Sequence, residues 1–302
     1  PVDVVSEAQV EAGLLGSYKV CYLSGPNLTR AAAEKLADWV RDGGTLWLTA
    51  GAGARDEFDR PLPTLEQIIP AARARAIDVQ PHRTSGHYLD GLKALDEALP
   101  TGGKGIEVLS VREALQPHAD AEVLCRFKDG SPALVRGRIG KGTVYASGFL
   151  PGLAYIKAAL VSRAQYVPRR GAAPSTAPSD SPEADRLARS ANPWDFPADV
   201  RQFLLMPVRS AGITPPVTCD LPLVDAVYMT CDQGILVPLA NYTLRPIPRL
   251  SLSVQASRQI ARVESSRLGR IDFTPRADGR IDLSLPLDAT DFVKLYYTTP
   301  AK

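Results

Sequence analysis

The chain has 302 residues, of which 45% are hydrophobic and 23% charged, with a formal net charge of +2 and four cysteines. That is the balance of a soluble globular protein with room for two ordinary domains, each large enough to bury a core without staples. A near-neutral charge without a Lys/Arg block argues against nucleic acid or an acidic membrane surface as a partner, and there is neither a signal peptide nor an apolar run of about 18 residues to cross a bilayer. The sequence begins at Pro1 rather than Met, which reads as a processed or excised piece of a longer parent and leaves the parent's compartment open.

The first half alternates strand and helix patterns. Tyr18–Leu23 is a short apolar run stopped by Ser24-Gly25-Pro26, as suits a buried parallel strand. Thr29 is placed to cap a helix whose apolar face is Ala32, Leu36, Trp39 and Val40, and Gly43-Gly44 ends it. Thr45–Ala50 reads as a second strand, parallel to the first after a right-handed crossover. Tyr88, Leu92, Leu95 and Leu99 fall on one face of another predicted helix. Glu122–Phe127, Ala133–Ile139 and Thr143–Ser147 read as strands joined by turns at Asp129-Gly130 and Gly140-Lys141-Gly142. The class indicated for residues 1–165 is an α/β domain with a mostly parallel sheet and an antiparallel extension.

Residues 166–193 are rich in Ala, Pro, Ser and Asp and read as a linker or exposed loop. A helix over 194–215, with Val200, Phe203, Leu204 and Val208 on one side and a kink at Pro207, returns to the α/β domain. From Pro216 to Lys302 the rhythm becomes that of an all-β sandwich. Seven strands are predicted: Val224–Thr230, Ile235–Ala240, Leu250–Gln255, Ala261–Glu264, Arg270–Phe273, Arg280–Leu285 and Phe292–Tyr297.

Chemistry is sparse. Cys21, Cys125, Cys219 and Cys231 lie far apart with no CxxC, so no metal pattern emerges. Cys219 and Cys231 either pair across a hairpin or stay free. Both Cys21 and Cys125 lie within strands, and His82, His87 and His118 lie in or near loops, which does not assemble a thiol nucleophile with its base. Gly51-x-Gly53 after a strand admits a phosphate-binding turn, but acidic residues follow it. The simpler reading is a tight turn at the carboxyl edge of a sheet. At that edge Arg55, Asp56 and Glu57 are candidates to hydrogen-bond sugar hydroxyls, or else a local salt-bridge cluster that fixes the loop. Trp194 is either an exposed sugar-stacking platform or a packing residue, while Trp39 and Trp47 fall on core positions. Asn27-Leu28-Thr29 and Asn241-Tyr242-Thr243 match the glycosylation triplet.

The runs Tyr18–Pro26, Leu28–Ala33, Trp39–Thr45 and Gly51–Phe58 resemble the trimerisation domain of bacterial β-galactosidases. So do Asp129–Ala133, Gly140-Lys141-Gly142 and Gly148–Gly152. The stretches Leu236–Thr243, Leu285-Pro286-Leu287 and Asp291-Phe292-Val293 are similar to the small β-sandwich that follows it in such proteins. The resemblance implies a flavodoxin-like, class I amidotransferase-like fold. It implies a non-catalytic accessory and oligomerisation role beside an upstream catalytic domain or a neighbouring subunit, with a homotrimer and a carbohydrate as possible partners. The catalytic carboxylates of such enzymes sit in a separate barrel, for which this chain is too short. No catalytic residue, cofactor or metal is therefore carried over. A carbohydrate-binding module, or a degenerate amidotransferase-like hydrolase, is the alternative.

Overall fold

A computed structural model describes residues 2–79, 92–157, 196–221, 223–243 and 245–298. They fall into two compact units, one holding the described residues up to 157 with Phe196–Ile213, the other those from Thr214 on. The predicted linker and Trp194 lie outside the described residues, as do His82, His87 and Tyr88.

In the first unit, seven strands form one sheet in the order β1 (Val20–Leu23), β2 (Thr45–Leu48), β9 (Gly142–Ser147), β8 (Pro132–Ile139), β7 (Glu122–Phe127), β4 (Asp96–Pro100) and β5 (Ile106–Val108). Helix α1 (Glu7–Glu11) precedes β1, and α2 (Arg30–Arg41) makes the β1-to-β2 crossover. The Thr29 hydroxyl accepts the Ala32 N–H at 3.2 Å, so the first turn of α2 is capped as the sequence indicates. Ala33, Leu36 and Val40 of α2 pack with Leu46, Leu48 and Val144 on one side of the sheet. On the other side Trp47 stacks on Tyr145 at 5.7 Å and meets the edge of Phe203 at 5.6 Å. Strand β2 is thus apolar on both faces because both are covered, and each such buried side chain contributes roughly 1.5–3 kcal/mol. Phe203 belongs to α4 (Ala198–Leu204), which is followed directly by α5 (Met206–Ser210) with Pro207 in its first turn.

The expected α/β class is overturned. Among the described strands only β1–β2 and β2–β9 pair in parallel. The β9–β8, β8–β7, β7–β4 and β4–β5 pairings are antiparallel. Strands dominate the chain, and the sheet is mixed rather than flavodoxin-like or amidotransferase-like. Such folds repeat the strand–helix crossover, whereas here the chain turns back on itself at Gly130 and Gly140, both with positive φ. The helix expected around Leu95 and Leu99 is also absent. Residues 96–100 are strand β4, with Ala98 buried and Leu99 exposed in a period of two, held between β5 and β7. A two-stranded ribbon of β3 (Ala71–Val79) and β6 (Val111–Pro117) completes the unit. There Arg112 donates to Asp96 at 2.7 Å and lies over the Phe127 ring at 4.3 Å, fastening the ribbon to the sheet.

The second unit consists of two antiparallel sheets. One has the order β10 (Val217–Cys219), β14 (Ile247–Gln255), β18 (Arg280–Leu287), β17 (Phe273–Pro275). The other has the order β11 (Val224–Ala226), β13 (Gly234–Asn241), β19 (Thr290–Tyr297), β15 (Ile260–Ser265), β16 (Gly269–Ile271), with β12 (Met229–Cys231) also on β13. Val237, Leu252, Val263, Leu283 and Leu295 bring both sheets into one core. The strand expected over Val224–Thr230 is split into β11 and β12, and Cys219 and Cys231 end on different sheets. All four cysteine thiols are free, which removes the hairpin pairing.

Close approach of backbones fixes one glycine. A Cβ on Gly142 would lie 2.0 Å from the Val40 carbonyl oxygen and 2.4 Å from that of Gly44. Gly142→Ala should therefore cost about 1–3 kcal/mol by urea unfolding. Gly152→Ala, where nothing lies within 4 Å of the added Cβ, should not destabilise.

Candidate functional site

The predicted site residues other than Trp194 gather in one loop, residues 49–62, at the carboxyl end of β2. Gly51 and Gly53 take φ of 69° and 60°, the left-handed region, where glycine is favoured. Gly53 also has no room for a side chain, since a Cβ would lie 2.3 Å from Leu65 Cδ1. The N–H groups that an anion would need are already committed. Gly51 donates to Glu113 Oε2 at 2.9 Å, Ala52 to the Thr49 carbonyl at 3.0 Å and Gly53 to the Gly25 carbonyl at 2.9 Å.

Asp56 points inward and has no exposed surface. Its Oδ2 accepts from Arg30 Nε at 2.9 Å, and its Oδ1 accepts the N–H groups of Phe58 and Arg60, each at 2.9 Å. Burial pushes this carboxyl up, but the hydrogen bonds from Arg60, Arg30 and Phe58 outweigh it and hold Asp56 below the ordinary carboxylate range. Asn27 Nδ2 donates to the Asp56 carbonyl at 3.1 Å, so that amide is used inside the fold. Glu57 accepts the Arg30 N–H at 3.1 Å, and Arg55 donates to the Asp59 carbonyl at 2.9 Å. Both remain at the surface. Between them and Arg60 stands Phe58, 67% exposed on an otherwise tied-down turn.

Three participants were not singled out in the sequence. Arg30 opens α2, where the helix dipole disfavours a cation, and that misplaced charge is the signal that an acid lies opposite. Glu113 and Arg73 sit on β6 and β3, in a ribbon the periodicity does not reveal. Glu113 is buried, and burial pushes its carboxyl up while the Gly51 N–H and Arg73 pull it down. Arg73 reaches the Ala52 carbonyl at 2.6 Å and pairs with Glu66 at 3.4 Å. The Cys21 and Cys125 thiols are pushed up to about 11 and about 12 by burial, so neither supplies a thiolate at neutral pH. Among the described residues no group of three or more His, Cys, Asp or Glu side chains is placed to hold a metal ion. The loop can hold a fixed shape and present Arg55, Glu57 and Phe58 to whatever meets it.

Residues 2–166 match the family described as the beta-galactosidase trimerisation domain. Among solved structures, the chain is similar to Gan42B, a GH42 beta-galactosidase from G. stearothermophilus, at 15% identity and a TM-score of 0.60, covering 98% of this chain and 34% of that one. A beta-galactosidase from Bacillus circulans sp. alkalophilus is similar at 14% identity and a TM-score of 0.57, covering 93% and 33%. An alpha-L-fucosidase isoenzyme from Paenibacillus thiaminolyticus is similar at 12% identity and a TM-score of 0.55, covering 94% and 42%. The chain thus spans about a third to two-fifths of the length of these proteins. No curated protein matches its sequence.

The two buried carboxylates should leave opposite marks on stability against pH. Asp56, depressed in the fold, stabilises fully above its unfolded value of about 3.9, and this is lost as pH falls through the folded value. Glu113, raised in the fold, costs stability above its folded value and gives it back as pH falls towards about 4.3. Urea midpoints measured from neutral pH downward should show Glu113→Gln removing the gain on mild acidification and Asp56→Asn removing the loss at lower pH.

Proposed function

The chain belongs to the beta-galactosidase trimerisation-domain family, an accessory rather than a catalytic domain, and from that footing we propose that it assembles a glycoside hydrolase-like parent by packing against a neighbouring copy of itself. The loop between β2 and α3 (Pro63–Glu66) supplies the contact. The observation that carries this reading is Phe58, a large aromatic side chain held outward on a turn whose polar groups are already satisfied internally. Aromatic side chains and arginine are enriched at protein interfaces, and Arg55 and Arg60 lie on either side of it in the sequence. The second antiparallel unit braces the assembly, and an adjoining catalytic domain of the parent is the other surface the region meets.

Light scattering across a wide concentration range tests this on the chain as it stands. A trimer is expected, and Phe58→Glu should shift it towards monomer by at least about tenfold in dissociation constant, with an unchanged far-UV circular dichroism spectrum. A monomer at every concentration, or a trimer indifferent to Phe58→Glu, overturns the assignment of the contact to this loop.

A further inference from the structure

The outer face of the four-stranded sheet carries a cleft of about 590 Å³ that the assembly reading does not use. Pairing register places Thr218, Ser253, Asp282 and Thr274 in one row across all four strands. Ser251 and Ser284 pair in a neighbouring row. These are outward positions, because Leu252 and Leu283 between them turn into the core.

Charge across the cleft is mixed, three carboxylates against two guanidinium groups. Asp220, Asp272 and Asp282 line it together with Arg249 and Arg276. Behind it Arg280, 8% exposed, donates to Ser253 Oγ at 2.9 Å and Thr218 Oγ1 at 3.3 Å. Neither a strong anion nor a cation is favoured in such a setting. The neighbouring Asp220 is held in place as an acceptor of the Ser251 N–H at 2.9 Å.

One atom lacks a partner. Asp282 Oδ2 lies 3.5 Å from Arg276 Nη1, but Oδ1 is buried with no hydrogen-bond donor. The Asp282 side chain as a whole is 43% exposed and lines the cleft, so its carboxylate is offered to a donor there at its other oxygen. Hydroxyl groups suit the rest of the floor, since Ser and Thr both donate and accept. We propose that this cleft is a binding site for a neutral polyhydroxy ligand, a monosaccharide or the end of an oligosaccharide, with the exposed side of the Asp282 carboxylate accepting from a sugar hydroxyl and Ser251 and Ser284 meeting its neighbours. The site stands apart from the Phe58 loop and does not depend on the assembly reading. Phe273 also lines it but packs into the core, so the site binds through hydrogen bonds and therefore weakly.

The test is titration of the full chain with galactose, xylose and lactose, followed by amide shifts in NMR, with glucuronate as the charged control. Saturable shifts on β14 and β18 with a dissociation constant on the order of 1–10 mM are expected, with glucuronate several-fold weaker. Ser284→Val, an exposed and strand-compatible change, combined with Ser251→Val should weaken binding about tenfold at an unchanged thermal midpoint. Asp282→Ala should abolish binding without lowering the midpoint. No saturable response to any neutral sugar overturns the proposal. So does binding indifferent to the serine changes, or an Asp282→Ala chain that binds normally but melts earlier.

Discussion

A carboxylate without exposed surface is tolerated only where donors surround it, and Asp56 is surrounded. Arg30 reaches it from the start of α2, while Phe58 and Arg60 reach it from its own turn. This one side chain therefore fixes the loop after β2 to the helix before it. The parallel pair β1–β2, the crossover helix and the outward turn become a single mechanical piece. Everything the loop shows to solvent depends on what Asp56 holds beneath it.

The fold is shared at about 12–15% identity with enzymes described as a galactosidase and a fucosidase. What such distant chains can keep in common is the placement of tight glycines and inward apolar side chains, not the identity of surface groups. Gly142 against the Val40 carbonyl and the Trp47–Tyr145 stack are constraints of this kind. They specify an architecture and leave the substrate of any parent unspecified.

Legibility in the sequence followed locality. Helix α2 was readable because cap, apolar stripe and terminating glycines lie within sixteen consecutive residues, Thr29 to Gly44. The hairpins of β7, β8 and β9 were readable from their turns. The class of the first unit was not, since direction within a sheet is set by distant pairings that no short window contains. Strand β4 shows the same limit: Leu92, Leu95 and Leu99 are spaced as on a helix, and only its neighbours β5 and β7 make residues 96–100 a strand. In the loop, the sequence marked Asp56 but not its inward direction. Glu113 escaped notice because it reaches Gly51 across 62 positions in sequence. The rhythm of short strands in the second unit was visible, whereas the polar row Thr218, Ser253, Asp282 and Thr274 exists only through register.

The anchoring of the Phe58 turn has a consequence for timing and entropy. A loop that must order on contact spends part of its interaction energy on lost backbone freedom, roughly 1–2 kcal/mol for each residue fixed. The turn around Phe58 has already given up that freedom during folding, through hydrogen bonds that are complete before any second surface arrives. Whatever docks there meets a preorganised shape, so a modest contact area can hold longer than its size alone would allow.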